Sequence, residues 1–326
     1  MRTQRKWRCS CSLVSFLVGF CLGLGEIVYV FQWGSLASNC LQNSVRLEMM
    51  QTRSHDTTDS RRDDFDITDK NQGLSFNGTL KREKVRILCW VMTQEENLAS
   101  KTQMIKDTWG KRCDTTLYFS SNTDHDFPTI GLDIPDGRRY LFLKTCKAFD
   151  YIHKHHFNDA DWFLKTDDDT FVIVENLRRF LQDKNSSSPV YYGQIFHRYV
   201  RGGYNSGGAG YILGKEAVRR FVLNGPSQAY CKRKRGSEDV ALGKWMLWLN
   251  VAVGSTKDVV GKERFNWHNG FSIFAGKIPE WVKRYVGNNR TAYEPSNVAI
   301  SFHYINSGWM KVIDFIVYHL TVHGVL

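Results

Sequence analysis

Apolar runs and helical periodicities alternate along most of the chain, and this pattern predicts the fold class. Three segments have the composition of buried strands: 85–92, 116–119 and 162–164. Three others are predicted to be helices: 97–109, 140–156 and 175–181. Strands that alternate with helices indicate an α/β sheet, and in such sheets ligands bind beyond the carboxyl ends of the strands.

The same pattern continues toward the C-terminal end. A strand is predicted at 211–213, an apolar helix at 240–249 and a further buried strand at 298–304. Residues 32–83 are polar and follow neither period, which is typical of a flexible stem. The sequence therefore predicts one ordered domain, residues 84–326, that follows a stem.

The amino terminus has the pattern of a membrane anchor. Residues 1–12 are rich in basic side chains, and residues 13–31 are apolar apart from Glu26 and a few small residues, a length that can cross a bilayer. A cleaved signal peptide is the alternative, with Ala37-Ser38 as a weak cleavage site. Because the positive charge precedes the span, we predict a type II membrane protein with a cytosolic tail and a lumenal body.

Composition and charge narrow the classes of partner. Of the 326 residues, 42% are hydrophobic and 13% aromatic, which is ample for a folded core. The net charge of +11 is compatible with nucleic acid, an anionic membrane or a phosphorylated small molecule as a partner. Neither zinc-finger spacing nor an RNA-binding aromatic signature accompanies this charge, so we expect no nucleic-acid partner.

Sequons and cysteines agree with a lumenal body. Asn77, Asn185 and Asn289 each begin an N-glycosylation sequon. The cysteines beyond the predicted span are Cys40, Cys89, Cys113, Cys146 and Cys231. An odd number in an oxidising compartment implies a free thiol or an intermolecular bridge, and Cys40 in the stem is placed for a bridge within a homodimer. The chain has no C-x-x-C pair, so structural zinc is not expected.

Three consecutive aspartates, Asp167, Asp168 and Asp169, follow the third predicted strand directly. Carboxylates this close repel one another, and a solvated acidic turn is the simpler explanation for such a run by itself. The apolar residues on both sides place the run at the rim of a buried sheet instead. Carboxylate oxygens there suit a hard divalent cation such as Mg²⁺ or Mn²⁺, which can in turn hold a diphosphate.

Two further segments are candidates for the same site. Residues 202–210 contain five glycines, typical either of a flexible hairpin or of a backbone wall that lies against a sugar. The tract lacks the spacing of a dinucleotide or P-loop motif. Glu238 and Asp239 follow Ser237 at the start of the predicted helix 240–249, where they serve either as capping residues or as a catalytic carboxylate that acts as general base.

His303 lies within the last predicted strand. A histidine in an apolar strand is usually a core residue with its hydrogen bonds satisfied. However, a metal site with two carboxylates commonly takes a nitrogen ligand from elsewhere in the chain, and imidazole suits Mn²⁺ better than Mg²⁺.

Taken in order, these motifs resemble one known family. The matching segments are 161–169, 206–211, 238–243, 261–263 and 301–304. They are similar to the core 1 β1,3-galactosyltransferases of the fringe-like β1,3-glycosyltransferase group, and the likeness covers nearly the whole predicted body. The resemblance implies a GT-A fold and inverting, Mn²⁺-dependent transfer of galactose from UDP-galactose to N-acetylgalactosamine (GalNAc) of glycoproteins. It also implies residence in the Golgi membrane.

The resemblance also implies roles for individual residues. Asp167 and Asp169 would form a D-x-D motif with His303 as the third metal ligand, Asp168 would support them, and Asp239 would be the catalytic base. Donor contacts are expected from Met92, Thr93, Arg138, Lys144 and Tyr304. The sugar sites are expected to be lined by Gly207, Gly208, Glu238 and Glu263.

The chain departs from the family pattern at several positions. Trp245 stands where a cysteine is expected to pair with the equivalent of Cys231, and the double cysteine before the histidine strand is missing. The resemblance leaves Cys89–Cys113 as one disulfide, whereas Cys146 and Cys231 either pair or stay free. Two alternative functions stay open: a non-catalytic lumenal chaperone for such an enzyme, and a β1,3-glycosyltransferase that uses another UDP-sugar.

Overall fold

The computed structural model describes residues 84–323 apart from 271–273, 276–277 and 287–292. The predicted tail, anchor and stem, together with Cys40 and two of the sequons, lie outside the described residues. The remaining sequon begins at Asn185, which is exposed in the segment that follows a helix. Among the described residues, the structure contains no helix with the length and apolarity needed to cross a membrane.

A mixed sheet of seven strands forms the centre of the domain, in the order β10-β6-β9-β4-β1-β2-β3. The described strands are β1 Ile87–Met92, β2 Thr115–Ser120, β3 Thr129–Gly131, β4 Trp162–Asp167, β5 Phe171–Val172, β6 Val190–Gly193, β7 Ile195–Phe196, β8 Tyr204–Asn205, β9 Tyr211–Gly214, β10 Ala252–Gly254, β11 Phe265–Asn266 and β12 Ser301–Phe302. β1 is parallel to β2 and β4, whereas β9 runs antiparallel to both β4 and β6. The predicted α/β sheet is confirmed.

Helices cover both faces of this sheet. The described α-helices are α1 Gln103–Asp107, α2 Leu141–His155, α3 Val174–Leu181, α4 Lys215–Asn224, α5 Gln228–Arg233, α6 Glu238–Trp248, α7 Glu280–Val286 and α8 Ser307–Tyr318. All six side chains of β1 are buried, and they alternate between the two cores. Trp90 packs on the side of α2, α4 and α6, and Val91 packs on the side of α1, α3 and α8. A strand buried on both faces needs no polar side chain, which explains its apolar run.

A second, three-stranded sheet brings the C-terminal part of the chain to the aspartates. In the order β11-β12-β5, Phe302 of β12 pairs antiparallel with Phe171 of β5, the strand that follows the acidic run. The backbone N–H of Ile305 donates to the carbonyl of Asp169 at 2.9 Å. The histidine that precedes Ile305 by two positions is therefore held next to the acidic run.

Two predicted elements differ from the observed ones. The helix predicted at 97–109 is broken into a 3₁₀ turn, a π-helical turn, the short helix α1 and a second 3₁₀ turn. Thr102 lies inside this segment and shares a hydrogen bond with Thr93, so a tertiary contact accompanies the break. The strand predicted at 298–304 is ordered as a strand only over Ser301–Phe302, and the chain bends after it at Tyr304, which has a positive φ of 56°.

Two disulfides connect elements next to the site. Cys89 in β1 is bonded to Cys113, with 6.1 Å between their Cα atoms, as predicted. Cys146 in α2 is bonded to Cys231 in α5, with 6.6 Å between Cα atoms. The structure thus decides between the two states left open for this second pair.

Candidate active site

A cleft of about 850 Å³ lies at the carboxyl ends of β1 and β4. The position agrees with the general rule for ligand sites in α/β sheets. The predicted site residues that line it are Met92, Thr93, Arg138, Lys144, Asp167, Asp168, Asp169, Gly207, Gly208, Glu238, Asp239, His303 and Tyr304. One predicted residue, Glu263, does not belong to this lining.

One wall of the cleft holds a group of side chains with the donor set of a metal site. Ligand atoms of Asp167, Asp169 and His303 lie within 4.8 Å of one another. The Nε2 atom of His303 is 3.1 Å from Oδ1 of Asp169. Two carboxylates and one imidazole form a mixed oxygen and nitrogen donor set that suits a divalent first-row metal ion.

The backbone around His303 fixes its orientation. The Nδ1 atom of His303 lies 3.2 Å from the carbonyl oxygen of Trp267, so the ring can donate there and leave Nε2 with its lone pair toward Asp169. Gly208 provides the space, because a Cβ atom at this position would lie 2.1 Å from Cε1 of His303. The residues present therefore fit a metal ion without rearrangement of the fold.

Asp168 plays a different part from its neighbours. Its Oδ2 accepts hydrogen bonds from Thr93 Oγ1 at 2.9 Å and from Asn97 Nδ2 at 2.8 Å, and Lys101 Nζ is 3.6 Å from Oδ1. These contacts anchor the acidic run to the segment after β1. Asp168 supports the site, while Asp167 and Asp169 face the third ligand.

A buried ammonium group, that of Lys165, lies between the acidic run and the glycine segment 207–208. Lys165 is only 4% exposed, and its Nζ forms an ion pair with Asp167 and lies 3.5 Å from the carbonyl oxygen of Gly207. Burial lowers the pKa of Lys165, but Asp167, Glu238 and Asp239 more than offset this effect, so the net pKa is raised and the group stays charged. Sequence reasoning assigned no role to Lys165, because two of the carboxylates that surround it, Glu238 and Asp239, are distant in the chain.

Two carboxylates of the cleft lining lie at the amino terminus of α6. Oδ2 of Asp239 accepts a hydrogen bond from the backbone N–H of Gly207 at 3.1 Å, and Oδ1 accepts one from the N–H of Val240 at 2.8 Å. Burial raises the pKa of the Asp239 carboxyl. The two N–H groups lower this pKa, but the net pKa is raised. A carboxylate with a raised pKa is a stronger proton acceptor, as a general base requires.

Glu238 is more deeply buried than Asp239 and has fixed partners. Its Oε1 accepts hydrogen bonds from Tyr211 Oη at 2.7 Å and from Thr145 Oγ1 at 3.0 Å. Burial raises the pKa of the Glu238 carboxyl, and Lys165 opposes that shift. These contacts hold the start of α6 against α2 and β9, which makes Glu238 a positioning group next to Asp239.

The glycine tract 202–210 forms both a hairpin turn and part of the cleft lining, the two structures that its sequence allowed. Gly202 and Gly203 have positive φ angles of 84° and 96° between β7 and β8, so they form the turn of a hairpin. Gly207 and Gly208 line the cleft, and a Cβ atom on Gly207 would lie 3.2 Å from Oε2 of Glu238. Only the second half of the tract serves as a backbone wall of the site.

Basic residues lie at another side of the cleft. Lys144 in α2 is 2% exposed, and its Nζ donates to Ser121 Oγ at 3.0 Å and forms an ion pair with Asp136. Arg138 is exposed in the 3₁₀ turn before α2. Cations in this position suit a phosphorylated ligand.

An aromatic wall, defined by Phe196, Trp267, Trp281 and Tyr285, borders the cleft as well. The rings of Trp267 and Trp281 meet edge to face with 5.1 Å between centroids, and Trp281 and Tyr285 do so at 5.5 Å. Sequence reasoning missed this wall, although Trp281 and Tyr285 stand four residues apart, as on one face of a helix.

Two predicted residues have environments that their motifs did not reveal. Glu263 is 3% exposed, and its nearest cation is Lys257 at 3.7 Å, so the structure does not bring its carboxylate to the cleft. Burial raises the pKa of Glu263 to about 7, against the effect of Lys257. Tyr304 lines the cleft with a positive φ of 56°, and its ring stacks on His303 at 3.8 Å between centroids.

Comparison with known proteins agrees with this geometry. The Fringe-like family model matches residues 82–306. The chain belongs to the Fringe-like family. The Xenopus laevis protein named glycoprotein-N-acetylgalactosamine 3-beta-galactosyltransferase 1 is 40% identical over 251 residues, which cover 74% of this chain and 69% of that protein. The resemblance to core 1 β1,3-galactosyltransferases is thereby confirmed.

Other relatives match a shorter part of the chain or match it more distantly. A mouse beta-1,3-glucosyltransferase is 29% identical over 52% of this chain and 35% of that protein. Among solved structures, the galactosyltransferase LgtC in complex with donor and acceptor sugar analogues has a TM-score of 0.39. Its 10% identity covers 72% of this chain and 97% of that chain, and this similarity is too distant to indicate function.

Proposed function

We propose that this Fringe-like protein transfers galactose from UDP-galactose in β1,3 linkage to O-linked GalNAc of glycoproteins. The observation that carries the proposal is that the Asp167, Asp169 and His303 group and Asp239 line the same cleft. An in-line sugar transfer needs both a diphosphate site and a general base. The 40% identity to the Xenopus enzyme supports this choice of substrates.

The residues of the first wall would hold a divalent cation, for which we propose Mn²⁺ because imidazole is among the ligands. Such a cation would act as a Lewis acid that neutralises the charge of the departing diphosphate. Around it, Asp168 keeps the acidic run anchored to Thr93 and Asn97. Lys165 compensates the negative charge on Asp167 and keeps the glycine wall close.

Asp239 would remove the proton of the acceptor hydroxyl. The acceptor oxygen then bonds to C1 of galactose while the bond from C1 to the phosphate oxygen breaks, and UDP leaves with the electron pair. One displacement inverts the α-linkage of the donor to a β-linkage, so no covalent intermediate is needed. Glu238 keeps the start of α6 in place during this step.

The remaining walls would bind the two substrates. Met92, Thr93 and Tyr304 would contact the nucleoside, whereas Arg138 and Lys144 would contact the diphosphate. The aromatic wall faces the same space as Asp239, and the apolar face of a sugar ring packs well against such rings. We therefore place the GalNAc of the acceptor against Trp281.

We further propose that the protein acts in the Golgi lumen as a single-pass type II membrane protein, and that it forms homodimers. The basic tail 1–12, the apolar segment 13–31 and the sequons support the membrane topology. Both disulfides of the described residues require an oxidising compartment. Cys40 supports the dimer, because it leaves an odd number of cysteines outside the predicted span.

A transfer assay tests the proposed function. The purified full-length chain is incubated with UDP-galactose, Mn²⁺ and a GalNAc-bearing peptide, and the product is analysed by mass spectrometry. We expect addition of one galactose by the unmodified protein and a loss of at least about 100-fold in rate for Asp169→Asn. A lack of transfer by both proteins would refute the enzymatic function and favour the chaperone.

The second candidate is a transferase for another sugar, and the relatives named beta-1,3-glucosyltransferase favour it specifically. A screen of UDP-sugars in the same assay separates the two candidates. We expect the highest kcat/KM with UDP-galactose. Faster transfer from UDP-glucose or UDP-N-acetylglucosamine would show that one of these sugars is the donor. The assignment of the site and of Asp239 as its base would not change.

A further inference from the structure

A small aromatic slot lies on the surface where α5 and α6 meet. It has a volume of about 210 Å³ and is formed by Tyr230 of α5 with Lys244, Trp245 and Trp248 of α6. The rings of Tyr230 and Trp245 meet edge to face at 5.4 Å, and those of Trp245 and Trp248 do so at 5.2 Å. Trp248 is 67% exposed, so its indole is available to a ligand.

A run of cations connects this slot to the cleft along the chain. Lys232, Arg233, Lys234 and Arg235, which we call the basic track, follow Tyr230 of the slot and precede Gly236. Gly236 and Ser237 line the cleft, and the positioning group Glu238 and the proposed base Asp239 come directly after them. Within the part of the chain that the structure describes, no carboxylate is within ion-pair distance of the basic track or of Lys244.

The distance suits a short peptide. Tyr230 of the slot and Gly236 of the cleft lining are six residues apart, three in the last turn of α5 and three in the loop, so their Cα atoms are separated by at most roughly 15 Å. An extended peptide advances about 3.3–3.6 Å per residue, so four or five residues lead from the edge of the cleft along the basic track to the slot. A glycoprotein acceptor has this reach on either side of its glycosylated residue, whereas a free sugar does not.

We propose that the basic track and the aromatic slot form a secondary binding site for an acidic segment of the acceptor polypeptide. The inference rests on the proposed function for the identity of the substrate. Charge complementarity selects the occupant: unpaired cations attract aspartate and glutamate side chains. The slot adds a pocket for an apolar or proline side chain, since aromatic-lined grooves accept such residues. Peptide sequence would thus modulate a reaction whose chemistry occurs at the sugar.

Binding is measured by fluorescence anisotropy with two labelled peptides that carry GalNAc on one threonine. Both contain a proline five residues from that threonine; one has aspartates between them and the other has serines. We expect the full-length chain to bind the acidic peptide roughly tenfold more tightly, with the difference largely lost at about 0.5 M salt. Equal affinity for the two peptides would overturn the proposal.

Matched variants locate the effect. Lys232→Gln/Arg233→Gln should reduce the preference for the acidic peptide about threefold to tenfold, while Lys154→Gln/Lys311→Gln, which removes two exposed cations elsewhere, should not. Trp248→Ala should weaken both peptides severalfold, whereas Leu247→Ala, an exposed neighbour outside the slot, should weaken neither. Equal losses in test and control variants would contradict the assignment.

Two readouts separate this inference from its alternatives. Transfer to a simple aryl GalNAc glycoside, which has no peptide, should be unchanged in all four variants. Failure of that transfer in the unmodified protein refutes the proposed function, while the anisotropy measurement still decides whether the secondary site exists. If Trp248→Ala instead converts a dimer to a monomer in sedimentation and leaves peptide affinity unchanged, the slot is an interface between two copies and the proposal is wrong.

Discussion

At the scale of single residues, the ammonium group of Lys165 connects the two walls of the cleft. It pairs with Asp167 on the metal side and approaches the carbonyl of Gly207, whose own N–H holds Asp239. A buried cation among three carboxylates offsets repulsion that would otherwise destabilise the site. Lys165 is therefore a positioning residue that joins metal binding to the general base.

Replacement of Lys165 tests this connection. Lys165→Met keeps most of the side-chain volume but removes the charge, so Asp167, Glu238 and Asp239 repel one another without compensation. We expect kcat to fall roughly 10- to 100-fold, and the activity to be partly retained in Lys165→Arg. Steady-state kinetics of both variants check this expectation, with circular dichroism as the control for folding. Unchanged kcat in Lys165→Met would show that the contacts of Lys165 with Asp167 and Gly207 are not needed for catalysis.

The space that Gly208 leaves for His303 gives a second prediction. In Gly208→Ala the added Cβ would lie 2.1 Å from the imidazole, so the ring must move from its position beside Asp169. We expect the affinity for Mn²⁺ to fall about 10- to 100-fold, as measured by isothermal titration calorimetry. Gly202→Ala is the matched control, because its Cβ meets nothing within 4 Å and its strain is confined to the hairpin turn. Equal metal affinity in both variants would contradict the proposed ligand set.

At the scale of elements, the disulfide between Cys146 and Cys231 holds α5 against α2. Cys146 directly follows Thr145, which bonds Glu238, so the bridge lies next to the segment that positions α6. It closes a loop of 85 residues, and removal of such a loop constraint costs roughly 4–5 kcal/mol. We expect Cys146→Ala/Cys231→Ala to lower the free energy of unfolding by this amount in urea titrations. A change below about 1 kcal/mol would indicate that packing alone holds α5 in place.

The buried carboxyl of Glu263, in the turn before β11, predicts a pH dependence of stability. Its folded-state pKa of about 7 lies above the ordinary 4.5, so between these values only the unfolded chain loses the proton. Stability therefore falls as pH rises from about 4.5 to 7 and stays reduced above that, by roughly 3 kcal/mol. Glu263→Gln should gain this amount over the unmodified protein at pH 8 and little at pH 4.5. A constant difference across this range would show that Glu263 does not titrate as inferred.

The elements also show what the sequence could and could not predict. β1 and the first half of β4 are apolar on both faces and were predicted because burial dictates their composition. The break of the helix predicted at 97–109 coincides with contacts among Thr93, Thr102 and Asp168, which depend on the fold and leave no local pattern. The periodicity of apolar residues predicted the fold class, but it did not predict where a helix is locally broken.

The candidate site divides in the same way. Asp167, Asp169, Asp239 and His303 were predicted because their motifs match a family, and the structure brings all four to one cleft. Trp281 had no such signal, and Lys165 lies inside the matching segment 161–169 but its role depends on Glu238 and Asp239, which only tertiary packing brings close. Residue type and order in the chain indicate the chemistry, but the shape of the substrate pocket depends on the folded chain.

At the scale of the whole molecule, the fold explains how distant segments form one site. The β12–β5 pairing brings His303 to the acidic run, and β9 carries the glycine wall to the start of α6. The metal-binding group depends on the first of these connections, and the position of Asp239 depends on the second.

We propose that this cleft transfers galactose with inversion and that Asp239 is the base.

The product formed by the unmodified protein and by Asp239→Asn tests this claim most directly. Full-length protein is incubated with UDP-galactose, Mn²⁺ and a GalNAc-bearing peptide, and the linkage is determined by NMR. We expect a β1,3-linked galactose from the unmodified protein and a rate at least about 100-fold lower from Asp239→Asn, with UDP binding unchanged. An α-linked product, or equal rates for the two proteins, would contradict the account.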